Sequence, residues 1–294
     1  DDYQGAIADF NKAIEITPNL AAAHANRGAL RTRLQNYQGA LNDFDNAIEI
    51  DPQNAINYSF RGFNKTALGD HRGAIADLNK AIEIDPQLAT AYRNRGNAKC
   101  QSEDNQGAID DYSKAIEIDP LDADVYYNRG HAKYKLGDHH GAIADYNKAI
   151  NINPLFAIAY YNRGVSKKNL GDTQGAIADL NKAIEIDPQD SSAYNNLGNA
   201  QQELGDYQEA IAAYNKALVI NPKFALAYTS RGNTKIKLGD HQGAIADYNR
   251  AIVVDPKNAN VYIKRGGAKD ELGDHQGAIA DYSKAIDIDP FLGN

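Results

Sequence analysis

Apolar residues recur along this chain at three- and four-residue spacing in short stretches, and the stretches come in pairs. In residues 123–156, Ala123, Tyr126, Gly130 and Ala132 mark the first stretch. Ala142, Ile143, Tyr146, Ala149, Ile150 and Ile152 mark the second. Such spacing gathers apolar side chains on one face of a helix, so the pair predicts two amphipathic α-helices, A and B. Leu136-Gly137-Asp138 separates them: Gly137 tolerates the left-handed backbone that ends helix A, and Asp138 caps the free amides that begin helix B. Pro154 stops helix B because it has no amide to continue it. Small residues at Gly130, Ala142 and Ala149 let the two axes approach closely.

This pattern repeats. All nine prolines (Pro18, Pro52, Pro86, Pro120, Pro154, Pro188, Pro222, Pro256, Pro290) are evenly spaced, and Gly28 opens a glycine series of the same period. A strict period of this length marks stacked hairpins, none of which buries its apolar face alone. Eight complete units follow: 21–54, 55–88, 89–122, 123–156, 157–190, 191–224, 225–258 and 259–292. Residues 1–20 supply the second helix of a truncated earlier unit. The expected fold is all-α, one solenoid domain of antiparallel helix-turn-helix repeats.

Composition narrows the chemistry. The 294 residues carry a net charge of −8, which disfavours nonspecific nucleic-acid binding. No apolar run approaches the roughly 18 residues of a membrane span, so no membrane is expected as partner. One cysteine, Cys100, allows no internal disulfide, and a cytoplasmic location is the expectation. His71, His139, His241 and His275 stand at least a whole repeat apart at the start of helix B, too far to share a metal ion. No motif for a nucleophile, phosphate loop or cofactor is present. No enzyme, metal or cofactor is expected.

The unit resembles the tetratricopeptide repeat, with Tyr126, Gly130, Gly137, Ala142, Tyr146, Ala149 and Pro154 at that motif's aromatic, small and proline positions. The resemblance covers essentially the whole chain. It implies a right-handed superhelix whose A helices line a concave groove that holds a peptide or extended protein segment. Two positions depart from the family: Arg at position 7 and a basic residue at position 11, both in seven units. Position 23 is Asp in the same seven. The unit 191–224 exchanges all three together, with Leu197, Gln201 and Ala213. Joint exchange is what contact produces, so Arg129 is expected to pair with Asp145, and Arg163 with Asp179.

Differences among units locate candidate binding residues. Position 6 carries Asn26, Asn94, Asn128, Asn162 and Asn196. A side-chain amide both donates and accepts, so such a ladder suits a peptide backbone; bonding to a neighbouring helix is the alternative. It resembles the Asn ladder of O-linked N-acetylglucosamine transferases, which implies a grip on extended polypeptide. Ile56, Phe60 and Phe63 form an apolar stripe, read either as an anchor or as packing against the next helix A. Tyr127, Tyr134 and Tyr161 are expected to form a second aromatic area in the middle units. Arg93, Asn97 and Asn128 match half of the clamp with which some family members hold a chaperone's C-terminal carboxylate. Ile158 and Asn162 stand where the other half needs basic residues.

The leading expectation is a scaffold that captures an extended polypeptide. A targeting arm of a larger enzyme, such as a glycosyltransferase, and a self-associating array are the alternatives. For the last, Ile279, Tyr282, Ala285 and Ile286 are expected to face outward, with Phe291 or Leu292 against residues 1–20 of another copy. Glu103 takes the place of the turn glycine, which predicts a differently shaped A–B turn there.

Overall fold

The computed structural model describes residues 2–291 and is built of α-helices. Residues up to Pro154 form one compact unit and those from Leu155 another. The first contains α1 (Tyr3–Ile16), α2 (Ala21–Arg33), α3 (Tyr37–Ile50), α4 (Ala55–Ala67), α5 (His71–Ile84), α6 (Ala89–Gln101), α7 (Asn105–Ile118), α8 (Ala123–Lys135) and α9 (His139–Ile152). The second contains α10 (Ala157–Asn169), α11 (Thr173–Ile186), α12 (Ser191–Leu204), α13 (Tyr207–Ile220), α14 (Ala225–Lys237), α15 (His241–Val254), α16 (Ala259–Glu271) and α17 (His275–Ile288). Each unit is an all-α tandem helix-turn-helix array, a solenoid in which each helix packs on its chain neighbours.

The core joins small buried residues of both helices, such as Ala91 and Ala98 on α6 and Ala108 and Ala115 on α7, with a large side chain of helix B in most hairpins. Ala142 and Ala149 of α9 are fully buried beside Tyr146, as Ala108 and Ala115 are beside Tyr112 in α7. Position 24 holds the large side chain: Phe44, Leu78, Tyr112, Tyr146, Leu180, Tyr214 and Tyr248 all have under 2 % of their surface exposed.

The start of helix B depends on a pair of residues. Asp138 accepts a 2.9 Å hydrogen bond from the Gly141 amide, and a Cβ at Gly141 would overlap that carboxylate. In α13 Glu209 takes the glycine's place, and Asp206 makes no side-chain cap. Starts of helix A instead alternate along the chain. Asn54, Asp122 and Asp190 cap α4, α8 and α12 through their side chains, whereas Asn258 before α16 is polar but makes no side-chain cap bond. Leu20, Leu88, Phe156 and Phe224 precede α2, α6, α10 and α14 without a cap bond. Leu88 and Phe224 pack onto the core, so burial replaces the cap there.

The turn at Glu103 corrects one expectation. Glu103 keeps the left-handed conformation at φ +66°, beside +81° for Gly137. Its hydrogen bonds reproduce those of the glycine turn: Asp104 N to Lys99 O at 2.9 Å matches Asp138 N to Lys133 O at 3.0 Å. Gln35 does the same at φ +58°. Packing of the two helices fixes the turn, and the side chain bears the strain.

Among the outward-facing residues expected on α17, Ile279, Tyr282 and Ile286 are exposed. Ala285 is not: it is buried with Ala259 and Tyr262, because its side chain faces the preceding helix A. Phe291 is exposed, and Leu292 lies outside the described residues.

Candidate functional site

In seven of the described hairpins, charged residues on helix A are organised around one buried carboxylate of helix B. Asp145 is buried, and its Oδ1 accepts from Arg129 Nη2 at 2.6 Å while Oδ2 accepts from Arg129 Nε at 2.9 Å. Lys133 Nζ reaches Oδ2 at 2.8 Å. Arg163, Lys167 and Asp179 repeat the arrangement, with Arg163 Nη2 2.5 Å from Asp179 Oδ1. Each arginine is thus a planar fork on a buried carboxylate, and in six hairpins it also lies over the ring of the tyrosine three residues before it.

The remaining guanidinium nitrogen was not foreseen from the sequence. Arg129 Nη1 donates to Ser113 Oγ at 3.0 Å on the preceding helix B, and Arg95 Nη1 donates to Asn79 Oδ1 at 2.7 Å. Arg61 reaches Asp45 at 2.8 Å, so Asp77 first and Asp45 second hold its proton more firmly than usual. These acceptors vary as Asn, Asp or Ser at position 25, yet each carries an oxygen. That shared property was the available signal. In α12 Leu197 replaces the arginine and packs on Leu180 and Ala213, with Tyr161, Ile177 and Ile184 around them.

On α4, α6 and α8 two adjoining cavities open between the A helices. The smaller, about 260 Å³, is lined by Ile56, Ser59, Phe60, Phe63, Arg93 and Asn94. Ile56, Phe60 and Phe63 are all exposed, and the Phe60 ring stacks on Phe44 at 5.4 Å. The stripe is therefore partly seated on the preceding hairpin while its other face stays open. The larger cavity, about 560 Å³, shares Phe63 and Asn94 and adds Asn97, Cys100, Asn128, His131 and Lys135. One wall is apolar and the other carries amides.

The amides also stitch helices together. Asn94 Nδ2 donates to Ser59 Oγ at 3.2 Å, and Asn128 Nδ2 donates to Asn97 Oδ1 at 3.3 Å, an oxygen that also accepts from Tyr112 OH at 2.8 Å. Asn196 Nδ2 donates to Tyr161 OH at 2.9 Å. Asn162 is half-buried, and Asn26 is exposed on α2. The position-6 residues therefore face neighbouring A helices as well as the open side, and Asn94 is itself buried. Arg93 Nη1 meets Asp122 at 2.9 Å, which leaves its guanidinium partly neutralised beside the stripe. Tyr127 lies over His131 at 6.3 Å and near Tyr146 at 6.0 Å.

Burial, then the Lys135 charge, lowers the His131 pKa, so the imidazole is neutral near pH 7. Burial raises that of Cys100, which keeps its thiol protonated. The cavity walls thus present neutral donors and acceptors with Lys135 and Glu103 at the rim. Such a surface suits a peptide main chain with one apolar side chain better than a highly charged ligand. Among the described residues no cluster of His, Cys, Asp and Glu could hold a metal ion, and no helix is long and apolar enough to cross a membrane.

Comparison with known proteins follows the same lines. A family model described as TPR repeat matches residues 1–35, 65–101, 96–137, 130–171, 167–205 and 232–269. Two described as tetratricopeptide repeat match 21–54 and 191–224, and 259–291. A comparison with curated proteins finds no match. Among solved structures, the chain is similar to YrrB, described as a TPR protein with an unusual peptide-binding site. It is 27% identical over 63% of this chain and 95% of that one, with TM-score 0.55. A MamA structure is 28% identical, covering 60% of this chain and 96% of that chain, with TM-score 0.54. The Cut9–Hcn1 hetero-tetramer of APC/C shares the fold at 21% identity and TM-score 0.62, over 99% of this chain and 57% of that one.

Proposed function

Because the chain belongs to the tetratricopeptide-repeat family, whose members mediate protein–protein interactions, we propose that α4, α6 and α8 capture an extended polypeptide segment. The observation that carries this reading is the pair of adjoining cavities sharing Phe63 and Asn94. An apolar side chain of the segment rests on Ile56, Phe60 and Phe63. Its main chain runs on toward Asn94, Asn97 and Asn128, whose amides retain hydrogen-bonding capacity after stitching the helices: among the described residues the carbonyl oxygens of Asn94 and Asn128 have no partner. A peptide N–H is the group those oxygens accept from. YrrB, whose structure is described by its peptide-binding site, lends the reading support by analogy.

The test is selection of dodecapeptides from a random display library on the immobilised chain, followed by calorimetry. Phe60→Ala should weaken the selected peptides by about 2 kcal/mol, the scale of an interface anchor, measured well below the melting temperature of the variant because the ring also stacks on Phe44. Asn94→Ala with Asn128→Ala should weaken them further. Peptides that bind all variants with equal affinity would rule out the concave face as the site.

A further inference from the structure

A second surface appears when the B helices are compared at position 29. Glu15, Glu49, Glu83, Glu117 and Glu185 occupy it in five of them. On the surface Lys80 pairs with Glu83 at 3.0 Å, Lys114 with Glu117 at 2.7 Å and Lys182 with Glu185 at 2.7 Å. In α13 and α15 this carboxylate is gone. Val219 and Val253 replace it, 77% and 76% exposed.

The neighbouring changes run in one direction. Lys216 and Arg250 keep the cation of the surface pair without its partner, and Lys223 and Lys257 stand where the other units have Gln, Leu, Asn or Phe. Among the described residues none of these four cations makes an ion pair. Asn221 replaces an aspartate as well, and Asp255 is the one carboxylate left in the two segments. Residues 216–223 therefore carry +2 and residues 250–257 carry +1, where the common version at 80–87 carries −1.

Three of these residues, Lys223, Arg250 and Val253, line a recess. Pro222, Lys223, Tyr228, Arg250, Val253 and Val254 line a cavity of about 390 Å³ between the α13–α14 turn and α15. Its apolar floor and two unpaired cations at the wall match an aliphatic side chain flanked by carboxylates. We propose that this face of α13 and α15 is a docking site for an acidic peptide segment with an apolar centre, separate from the concave site on α4, α6 and α8. Charge complementarity selects the occupant. The whole chain is at −8, so an extended anionic surface such as a membrane or nucleic acid is repelled by the rest of the molecule. A short segment senses only charges within a screening length of about 8 Å at physiological salt, where the patch is positive. The recess also fits a side chain and not a plane.

The probe is a fluorescein-labelled peptide, Asp-Glu-Leu-Leu-Glu-Asp, titrated with the full chain and read by fluorescence anisotropy. Its amide counterpart, Asn-Gln-Leu-Leu-Gln-Asn, and vesicles of phosphatidylcholine and phosphatidylserine in equal parts are run beside it. The acidic peptide should bind at least tenfold more tightly than the amide peptide, with affinity falling as salt rises. Val219→Glu with Val253→Glu restores the pattern that five other helices carry, so it should fold normally, and it should weaken the peptide at least tenfold. Phe60→Ala should leave this binding unchanged, which separates it from the concave site. No binding of the acidic peptide, equal binding of both peptides, no loss in the double variant, or preference for the vesicles would each overturn the proposal.

Discussion

Removing the carboxylate of Asp145 tests what holds each hairpin together. Asp145 accepts three charge-assisted bonds, from Arg129 Nε at 2.9 Å, Arg129 Nη2 at 2.6 Å and Lys133 Nζ at 2.8 Å. Asp145→Ala leaves both cations without that partner. Breaking a buried pair from one side costs about 3–5 kcal/mol. Here the side chains of Arg129 and Lys133 are 18% and 21% exposed, and Arg129 keeps Ser113, so part of the lost solvation is recovered. The expected cost is about 3 kcal/mol, the lower end of that range. The triple variant Arg129→Leu, Lys133→Gln, Asp145→Ala copies the unit 191–224, where Leu197 packs on Leu180, Ile177 and Ile184. At the equivalent places around Arg129 stand Tyr112, Ile109 and Ile116, also apolar, so a leucine finds cover there. The triple variant should cost about 1 kcal/mol, since charges and partner leave together. Urea unfolding of full-length chains, followed by circular dichroism, measures both. Fits should allow more than two states, because repeat arrays lose cooperativity with length. Equal losses for the single and triple variants would refute the buried-carboxylate argument, and so would a single-variant loss under about 1 kcal/mol.

Other outcomes follow from local geometry. Glu103→Gly should stabilise the chain by about 0.5–1 kcal/mol, since it relieves a left-handed residue at φ +66° at a smaller entropic cost; an unchanged urea midpoint would count against strain there. Gly130→Ala should cost about 1–3 kcal/mol, because the new methyl would lie 2.9 Å from Tyr146 Cε1 and 3.2 Å from the Ala142 carbonyl oxygen; a cost below about 0.5 kcal/mol would show that the ring yields freely. His131, with its pKa lowered in the folded chain, binds its proton more readily when unfolded, so its contribution is lost as pH falls through about 6.5 toward the folded value. Replacing His131 by Gln should therefore reduce the drop in urea midpoint between pH 7.5 and 5.5, and an identical drop in both chains would exclude this histidine as a cause.

The fold was legible because one unit dictates the rest: the apolar spacing and the proline recur in every unit, and the turn glycine in most. The intra-hairpin charges could also be read, since the unit 191–224 changes Arg, Lys and Asp at once. Contacts between units were harder to see. Arg129 to Ser113 spans 16 residues backward onto a position that varies in identity while keeping an oxygen, and Asn128 to Asn97 spans 31. Neither has a local spacing that marks it. The candidate residues on α4 were legible as surplus apolar surface. The stacking of Phe60 on Phe44 was not, because it depends on how two helices of adjacent hairpins meet. Glu103 misled for a physical reason: a preference of about 1 kcal/mol yields to the packing of two whole helices.

The alternation at the start of helix A makes the chain count in twos. Leu20, Asn54, Leu88, Asp122, Phe156, Asp190, Phe224 and Asn258 form an apolar-polar rhythm two units long, laid over the single-unit repeat. Excision of residues 55–88 would join Asn54 to Ala89, giving α6 a polar lead-in in place of the apolar Leu88. Excision of residues 55–122 would join Asn54 to Ala123, so that a helix begun by a polar cap receives another of the same kind, and the rhythm survives. The smallest length by which this molecule can be shortened or extended without mismatched junctions is a pair of hairpins, and recombination or design that respects the pair inherits intact seams.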